Sequence, residues 1–231
     1  MNSIPIVDII IPAFNEEKAI AEVIRALPSN LLREIIVVNN SSTDQTRIVA
    51  EEAGATVIDE PRKGYGNACL MGIAYIDQKA IKPDIVTFID GDYADFPEEL
   101  INILQPLFDN QADFVIGSRS LGNREKGAMT PQQIFGNWLA TTLIRWLYKV
   151  KFTDLGPFRA INYTTLKALK MEDKNYGWTV EMQLKAAKMG FKSIEIPVSY
   201  KKRIGTSKVS GTIKGTIGAG YKILYSIFKY L

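Results

Sequence analysis

The chain has 231 residues, 46% hydrophobic, 10% aromatic and 23% charged, a globular balance that excludes disordered, collagen-like and coiled-coil classes. One cysteine, Cys69, excludes an internal disulfide framework, and the absence of histidine excludes a Ser-His-Asp triad, a Cys-His dyad and a histidine-ligated zinc. A net charge of +3 does not argue for nucleic acid; any metal is left to oxygen donors, which favours Mg²⁺ or Mn²⁺.

In chain order, Ile6 to Ile11, Glu34 to Val38, Ala55 to Ile58, Asp84 to Ile89 and Asp113 to Gly117 read as strands, and their Ile/Val character suits parallel strands buried on both faces. Glu16 to Leu27, Thr43 to Ala53, Gly66 to Lys79 and Glu98 to Phe108 read as the helices between them. Pro12 is expected to end the first strand and Asn15 to cap the next helix. Ser42 to Gln45 fits a capping box, with Gly54 as the stop of that helix. Gly122 to Thr130 reads as a loop of the kind that forms lids. Pro131 to Val150 is a helix rich in large apolar residues, Trp138 and Trp146 among them. Further helices span Tyr163 to Lys170 and Thr179 to Met189, with a strand at Ser193 to Pro197. The β-α alternation predicts an α/β fold, a doubly wound and mainly parallel sheet with helices on both faces. Residues 1–211 form the main domain, with a nucleotide-binding half at about 1–120 and an acceptor half at about 121–211. Residues 212–231 form a basic amphipathic C-terminal helix on which Lys222 and Lys229 share a side. The last 31 residues hold seven Lys and Arg and no Asp or Glu, a distribution that favours phosphates or an anionic membrane face.

Ligands of such a sheet sit beyond the carboxyl ends of its strands. The strongest signal there is Phe88-Ile89-Asp90-Gly91-Asp92, two carboxylates flanking a glycine after an apolar strand. Like charges that close repel, and a divalent cation resolves the repulsion while bridging a diphosphate; a plain Asp-Gly turn is the alternative. Ile11 to Glu17 brings Phe14 to a pocket edge. Val38 to Asp44 brings amides and hydroxyls that can read a nucleobase edge or form a polar turn. Arg62-Lys63-Gly64-Tyr65-Gly66-Asn67 joins basic charge and glycines to a helix start, which suits phosphate, although neither the P-loop nor G-x-G-x-x-G is present. Gly117-Ser118-Arg119 delivers an arginine to the same edge.

In order, IPAFNE, VVNNSSTD, RKGYGNA, FIDGDYADFPEEL and IGSR resemble the family 2 glycosyltransferases of the GT-A nucleotide-sugar-binding fold, over about half of the chain. TDLGPFRA (153–160), YGWTVEM (176–182), IPV (196–198) and RIGTSK (203–208) resemble the dolichyl/polyprenyl-phosphate mannose or glucose synthase branch. The resemblance implies that Pro12, Phe14, Glu16, Val38, Asn40 and Lys63 line the donor pocket. It implies that Asp90, Gly91 and Asp92 hold the diphosphate, Asp90 and Asp92 the metal, and that Arg119, Arg203, Ser207 and Lys208 meet phosphates. Asn39 and Asn40 stand where the family usually has aspartates, and Ala94 where these synthases often have glutamine.

The implied reaction is inverting transfer of a sugar from a UDP- or GDP-sugar to a polyprenyl phosphate at the cytoplasmic membrane face. Asp92 is then catalytic through the Mg²⁺ or Mn²⁺ it holds, and Asp154 is the general base should the acceptor be a hydroxyl. The RIGTSK segment, the Trp-bearing helix and the basic tail carry the lipid-phosphate reading; the tail packing on the domain or forming a homo-oligomer is the alternative. Transfer to a soluble, glycan or glycolipid hydroxyl is the rival enzyme reading, and a non-catalytic nucleotide-sugar-binding protein the third. The N-terminus shows no signal peptide and no stretch is long and apolar enough to span a bilayer, so a cytoplasmic protein, peripheral on the inner face of the membrane, is expected.

Overall fold

The computed structural model describes residues 5–205 and 213–231. Seven strands, β1 (Val7–Ala13), β2 (Glu34–Asn39), β3 (Thr56–Asp59), β4 (Ile85–Phe88), β5 (Phe114–Ser118), β6 (Arg159–Asn162) and β7 (Ser193–Pro197), form one sheet in the order β3-β2-β1-β4-β6-β5-β7. Every pairing is parallel except those of β6, which runs antiparallel to both β4 and β5. The expected α/β architecture is therefore present, with one strand that the sequence reading lacks. β6 is short and opens on a buried arginine, Arg159, so no apolar run announces it.

The pleat sorts β1 into two cores. Ile9 and Ile11 face Ile20, Val23 and Ile24 of α1 (Ile20–Ala26), Ala50 of α2 (Thr46–Glu52) and Leu100, Ile103 and Leu104 of α4 (Leu100–Phe108). Ile10 faces the other way. That core also holds Ala68, Ile73 and Ile76 of α3 (Tyr65–Asp77), Ala140 and Ile144 of α5 (Pro131–Tyr148), Leu166 and Leu169 of α6 (Tyr163–Leu169) and Trp178 and Met182 of α7 (Trp178–Lys188). All seven residues of β1 are buried, as a strand covered on both faces requires.

Three local expectations are corrected. Pro12 lies inside β1, opposite Val38, rather than ending it. The last residue pair of β1 with β4 is Ile10 with Phe88, so β1 has outrun β4 at Pro12 and the missing prolyl N–H removes no ladder bond. Asn15, at φ 55°, is not the cap residue of the next helix, whose flanking residue is Ala19. α2 starts at Thr46 rather than Thr43, and Asp44 Oδ1 accepts the Thr46 N–H at 3.0 Å in place of the expected Ser42–Gln45 box. Gly54 does stop α2, at φ 96° with its N–H on the Glu51 carbonyl at 3.0 Å.

The C-terminal helix α8 (Ile213–Lys229) packs on α5 and α7. Ser226 and Ile227 are buried, and Tyr148 donates its hydroxyl to the Ile227 carbonyl at 2.5 Å. Lys222 pairs with Asp173 at 3.1 Å and Lys229 with Glu172 at 3.2 Å. The two lysines expected beside a membrane thus bind the loop between α6 and α7. Among the described residues no helix is long and apolar enough to cross a membrane.

Candidate active site

The chain steps from β1 outward to β2 and β3 on one side, then returns to place β4 on the other. At such a switch point the two connections diverge and leave a crevice beyond the strand ends. A cleft of about 480 Å³ opens there. Pro12 and Phe14 reach it from β1, Asp90, Gly91 and Asp92 from β4, Arg119 from just past β5 and Arg203 from beyond β7; Glu16, Asn40 and Lys63 complete the expected residues found in it.

The loops after β1 and β2 are laced together. The N–H groups of Asn15, Glu16 and Glu17 donate to Ser42 Oγ at 3.0 Å, Thr46 Oγ1 at 2.8 Å and Asp44 Oδ2 at 3.3 Å, and the Thr43 N–H returns to Asn15 Oδ1 at 2.8 Å. Asn40 has all of its amide engaged. Its Nδ2 donates to the Glu60 and Arg62 carbonyls at 3.0 and 2.8 Å, and its Oδ1 accepts the Gly64 N–H at 2.8 Å. It therefore fixes the segment that carries Lys63, whose ammonium lies 5.3 Å from the centre of the Phe14 ring, instead of offering its amide to a base. The glycines of RKGYG likewise serve packing. A Cβ on Gly66 would stand 1.9 Å from the Asp173 carbonyl oxygen, and one on Gly64, at φ 137°, 2.2 Å from that of Lys174.

The acidic pair is asymmetric. Asp92 is 5% exposed and spends both oxygens, Oδ1 on the Ala94 N–H at 3.0 Å and Oδ2 on Arg203 Nη1 at 2.7 Å. Asp90 Oδ1 is buried with no hydrogen-bond partner. Burial and the neighbouring Asp92 charge push the Asp90 carboxyl up to about 6. The nearby Tyr65 hydroxyl is also buried without a partner; burial, then the Asp90 charge, hold its phenol well above the usual range.

Asp154 does not stand free as a base. It is fully buried, and its two oxygens receive Nε and Nη2 of Arg119 at 2.8 and 2.7 Å as well as the backbone N–H groups of Arg119 and Leu155. Burial opposes its charge, but Arg119 and these donors win and hold the carboxyl below its usual range. A carboxylate so satisfied positions Arg119, whose guanidinium also lies over the Tyr200 ring at 5.1 Å. The loop beyond it is held from several sides. Glu195 of β7 accepts the Thr153 N–H at 2.8 Å, Asn137 of α5 accepts that of Leu155 at 3.0 Å, and Gln183 of α7 donates to the Asp154 carbonyl at 3.0 Å. Arg159 donates to the carbonyls of Gly156 and Thr179.

Val38 leaves the expected set, because the pleat turns it into the core beside Ile10, where it is fully buried. Ser207 and Lys208 lie outside the described residues. The cleft adds residues the sequence reading did not assign: Tyr65, Leu155, Pro157, Tyr176, Thr179 and Tyr200. Tyr65 and Tyr176 lie within quoted motifs, which was the available signal. Tyr200 had none, since its place depends on backbone bonds to Asn123 and Glu125.

A family model described as Glycosyl transferase family 2 matches residues 8–170. An uncharacterised glycosyltransferase of Mycobacterium tuberculosis is 33% identical over 219 residues, covering 91% of this chain and 93% of that protein. An undecaprenyl-phosphate mannosyltransferase of Micrococcus luteus is 29% identical over 226 residues, covering 89% and 88%. The crystal structure of Mycobacterium tuberculosis glucosyl-3-phosphoglycerate synthase in complex with Mn²⁺, UDP and phosphoglyceric acid is similar over 98% of this chain and 78% of its own, with a TM-score of 0.78 at 20% identity.

The structural likeness covers 98% of this chain and is to an enzyme crystallised with a soluble phosphorylated acid. Together with the packing of α8 and its paired lysines, it corrects the expected polyprenyl-phosphate branch, the polyprenyl phosphate acceptor and the membrane-surface partner. What the motifs implied about fold and reaction class stands: the chain is a glycosyltransferase with the α/β GT-A architecture and belongs to glycosyl transferase family 2.

Proposed function

We propose that this glycosyltransferase moves the sugar of a UDP-sugar to a hydroxyl of a small soluble phosphorylated acceptor of the phosphoglycerate class, with Mn²⁺ or Mg²⁺ held at Asp90 and Asp92. The observation that carries the reading is the convergence, in one cleft at the switch point of the sheet, of that carboxylate pair with two arginines, Arg119 and Arg203. The carboxylates suit a hard cation: Asp90 Oδ1 is buried without a partner beside a second negative charge. Among the described residues no group of three or more acidic or thiol side chains could hold a metal alone. A site of two carboxylates completed by substrate phosphates is the usual arrangement for Mg²⁺.

When bound, the cation neutralises charge that develops on the departing diphosphate. Arg203 lies beside the same carboxylates and supplies a second positive charge to that group. Phe14 and Lys63 form the base-side wall, and Asp92 is the acidic residue on which turnover depends. Arg119, locked by Asp154 and Tyr200, offers a prepositioned guanidinium to an anionic acceptor without reorganising. The similarity to a structure holding UDP and phosphoglyceric acid supports both choices of substrate.

The test is incubation of the purified chain with Mn²⁺, sugar-labelled UDP-glucose and either 3-phosphoglycerate or undecaprenyl phosphate. Label in a water-soluble phosphorylated product, with equimolar UDP, is the expected result. Label only in an organic-soluble product, or donor binding without turnover, overturns it. A thermal-shift panel of UDP- and GDP-sugars reads donor choice separately, because a ligand selective for the folded state raises the melting temperature.

A further inference from the structure

Asp92 is needed by a cation but is already occupied by one. Its Oδ2 lies 2.7 Å from Arg203 Nη1, and its Oδ1 is committed to the Ala94 N–H. The Asp92 carbonyl also accepts the Ile204 N–H at 3.0 Å, so the backbone beside Arg203 is fastened to the residue its side chain neutralises. Asp90, one glycine away, retains an unpartnered oxygen. A guanidinium and a divalent ion cannot share Asp92 Oδ2 without strong repulsion at such short range. Release of Arg203 therefore needs another anion within its reach, and the nucleotide diphosphate is one that the cleft is proposed to receive.

From this geometry, and resting on the metal reading above, we infer that Arg203 is the built-in counter-ion of the metal site. It yields Asp92 to a divalent cation only when a nucleotide diphosphate is present to take the guanidinium. Cation binding and donor binding are then thermodynamically linked through one side chain, each favouring the other by the same factor. The linkage protects the empty site as well: a buried pair of carboxylates at the tip of β4 keeps a compensating charge whenever no donor is bound.

The test measures Mn²⁺ binding directly, by the loss of the free-ion electron paramagnetic resonance signal, for the wild-type chain, Arg203→Gln and Arg203→Lys, with and without UDP. In the wild type, UDP is expected to tighten Mn²⁺ binding by at least roughly tenfold, the scale of one charge-assisted hydrogen-bonded pair. In Arg203→Gln, Mn²⁺ alone is expected to bind on the order of tenfold more tightly than to the wild type, because its competitor is gone, while UDP tightens it far less. Arg203→Lys, which keeps the charge but not the fork, is expected between the two. A melting curve for each variant shows that the compared proteins are folded. Equal Mn²⁺ affinity of wild type and Arg203→Gln without UDP overturns the inference, as does undiminished coupling in the variant. Failure of every protein to bind Mn²⁺ at any UDP concentration overturns the metal reading itself, a result distinct from binding that lacks coupling.

Discussion

Arg119 and Asp154 form a buried two-pronged ion pair, Nε to Oδ2 at 2.8 Å and Nη2 to Oδ1 at 2.7 Å, with side chains 11% and 1% exposed. A pair of this kind is costly to break from one side, because the remaining charge stays buried and uncompensated. Asp154→Ala is expected to lower folding stability by about 3–5 kcal/mol, read by urea denaturation. If Asp154 were a free general base, the isosteric Asp154→Asn would stop turnover at undiminished stability; the pairing predicts instead that stability falls with it.

Asp92 carries a catalytic expectation as well as a structural one. Asp92→Asn keeps the side-chain shape and the acceptor for the Ala94 N–H, while removing the charge that holds a cation. We expect kcat to drop by about 10²–10³, the scale for loss of one electrostatic contact to a transition state, and the melting temperature of the metal-free chain to fall, because the Arg203 guanidinium loses its carboxylate. Steady-state UDP release beside a thermal melt separates the two effects.

The raised Asp90 carboxyl gives a pH dependence of definite sign. Its ordinary value lies near 4, and burial followed by the Asp92 charge lifts it to about 6 in the folded chain. Between these values the folded protein holds a proton that the unfolded chain has lost. Metal-free stability therefore falls as pH rises through this window, by about 2–3 kcal/mol in all, and Asp90→Asn removes that slope. Mn²⁺ binding runs the other way, strengthening as pH rises through about 6 because the ion displaces the proton. Calorimetric titrations at pH 5, 6 and 7 check both signs.

Close backbone approach fixes two glycines that neighbour residues lining the cleft. A Cβ on Gly66 would stand 1.9 Å from the Asp173 carbonyl oxygen, and one on Gly156 would stand 2.4 Å from that of Gly117. Each alanine variant is expected to lose about 1–3 kcal/mol by overpacking, measured by chemical denaturation. Gly66→Ala is expected to raise the donor KM as well, because the loop it displaces carries Lys63.

The tail makes a testable contact with the domain. Ile227 of α8 is fully buried against the domain, so Ile227→Ala is expected to cost about 2–5 kcal/mol. Lys222→Ala, which removes one partly exposed ion pair with Asp173, is expected to cost no more than about 1 kcal/mol. Comparable losses from both substitutions would show that charge, not packing, holds α8 in place.

Much of this protein was legible in order and pattern. Near-continuous Ile/Val runs marked β1 to β5, as a strand covered on both faces must be apolar throughout, and Ser193 to Pro197 marked β7. The Asp-Gly-Asp turn after β4 and the arginine after β5 marked strand ends that line the cleft, since a doubly wound sheet leaves its crevice there. The tertiary structure alone decided which polar groups remain available to a ligand. Asn40 and Asp154 look like reading and reacting groups in the sequence, yet each is held by partners 20 to 35 residues away. β6 was hidden because its opening arginine is buried on hydrogen bonds to the Gly156 and Thr179 carbonyls, and Val38 was misassigned because one step of the pleat turns a side chain from cleft to core. Residue type and spacing are local properties that the sequence carries outright; the spending of a hydrogen-bonding group or a charge depends on what the fold brings against it, and that is settled only when the sheet closes.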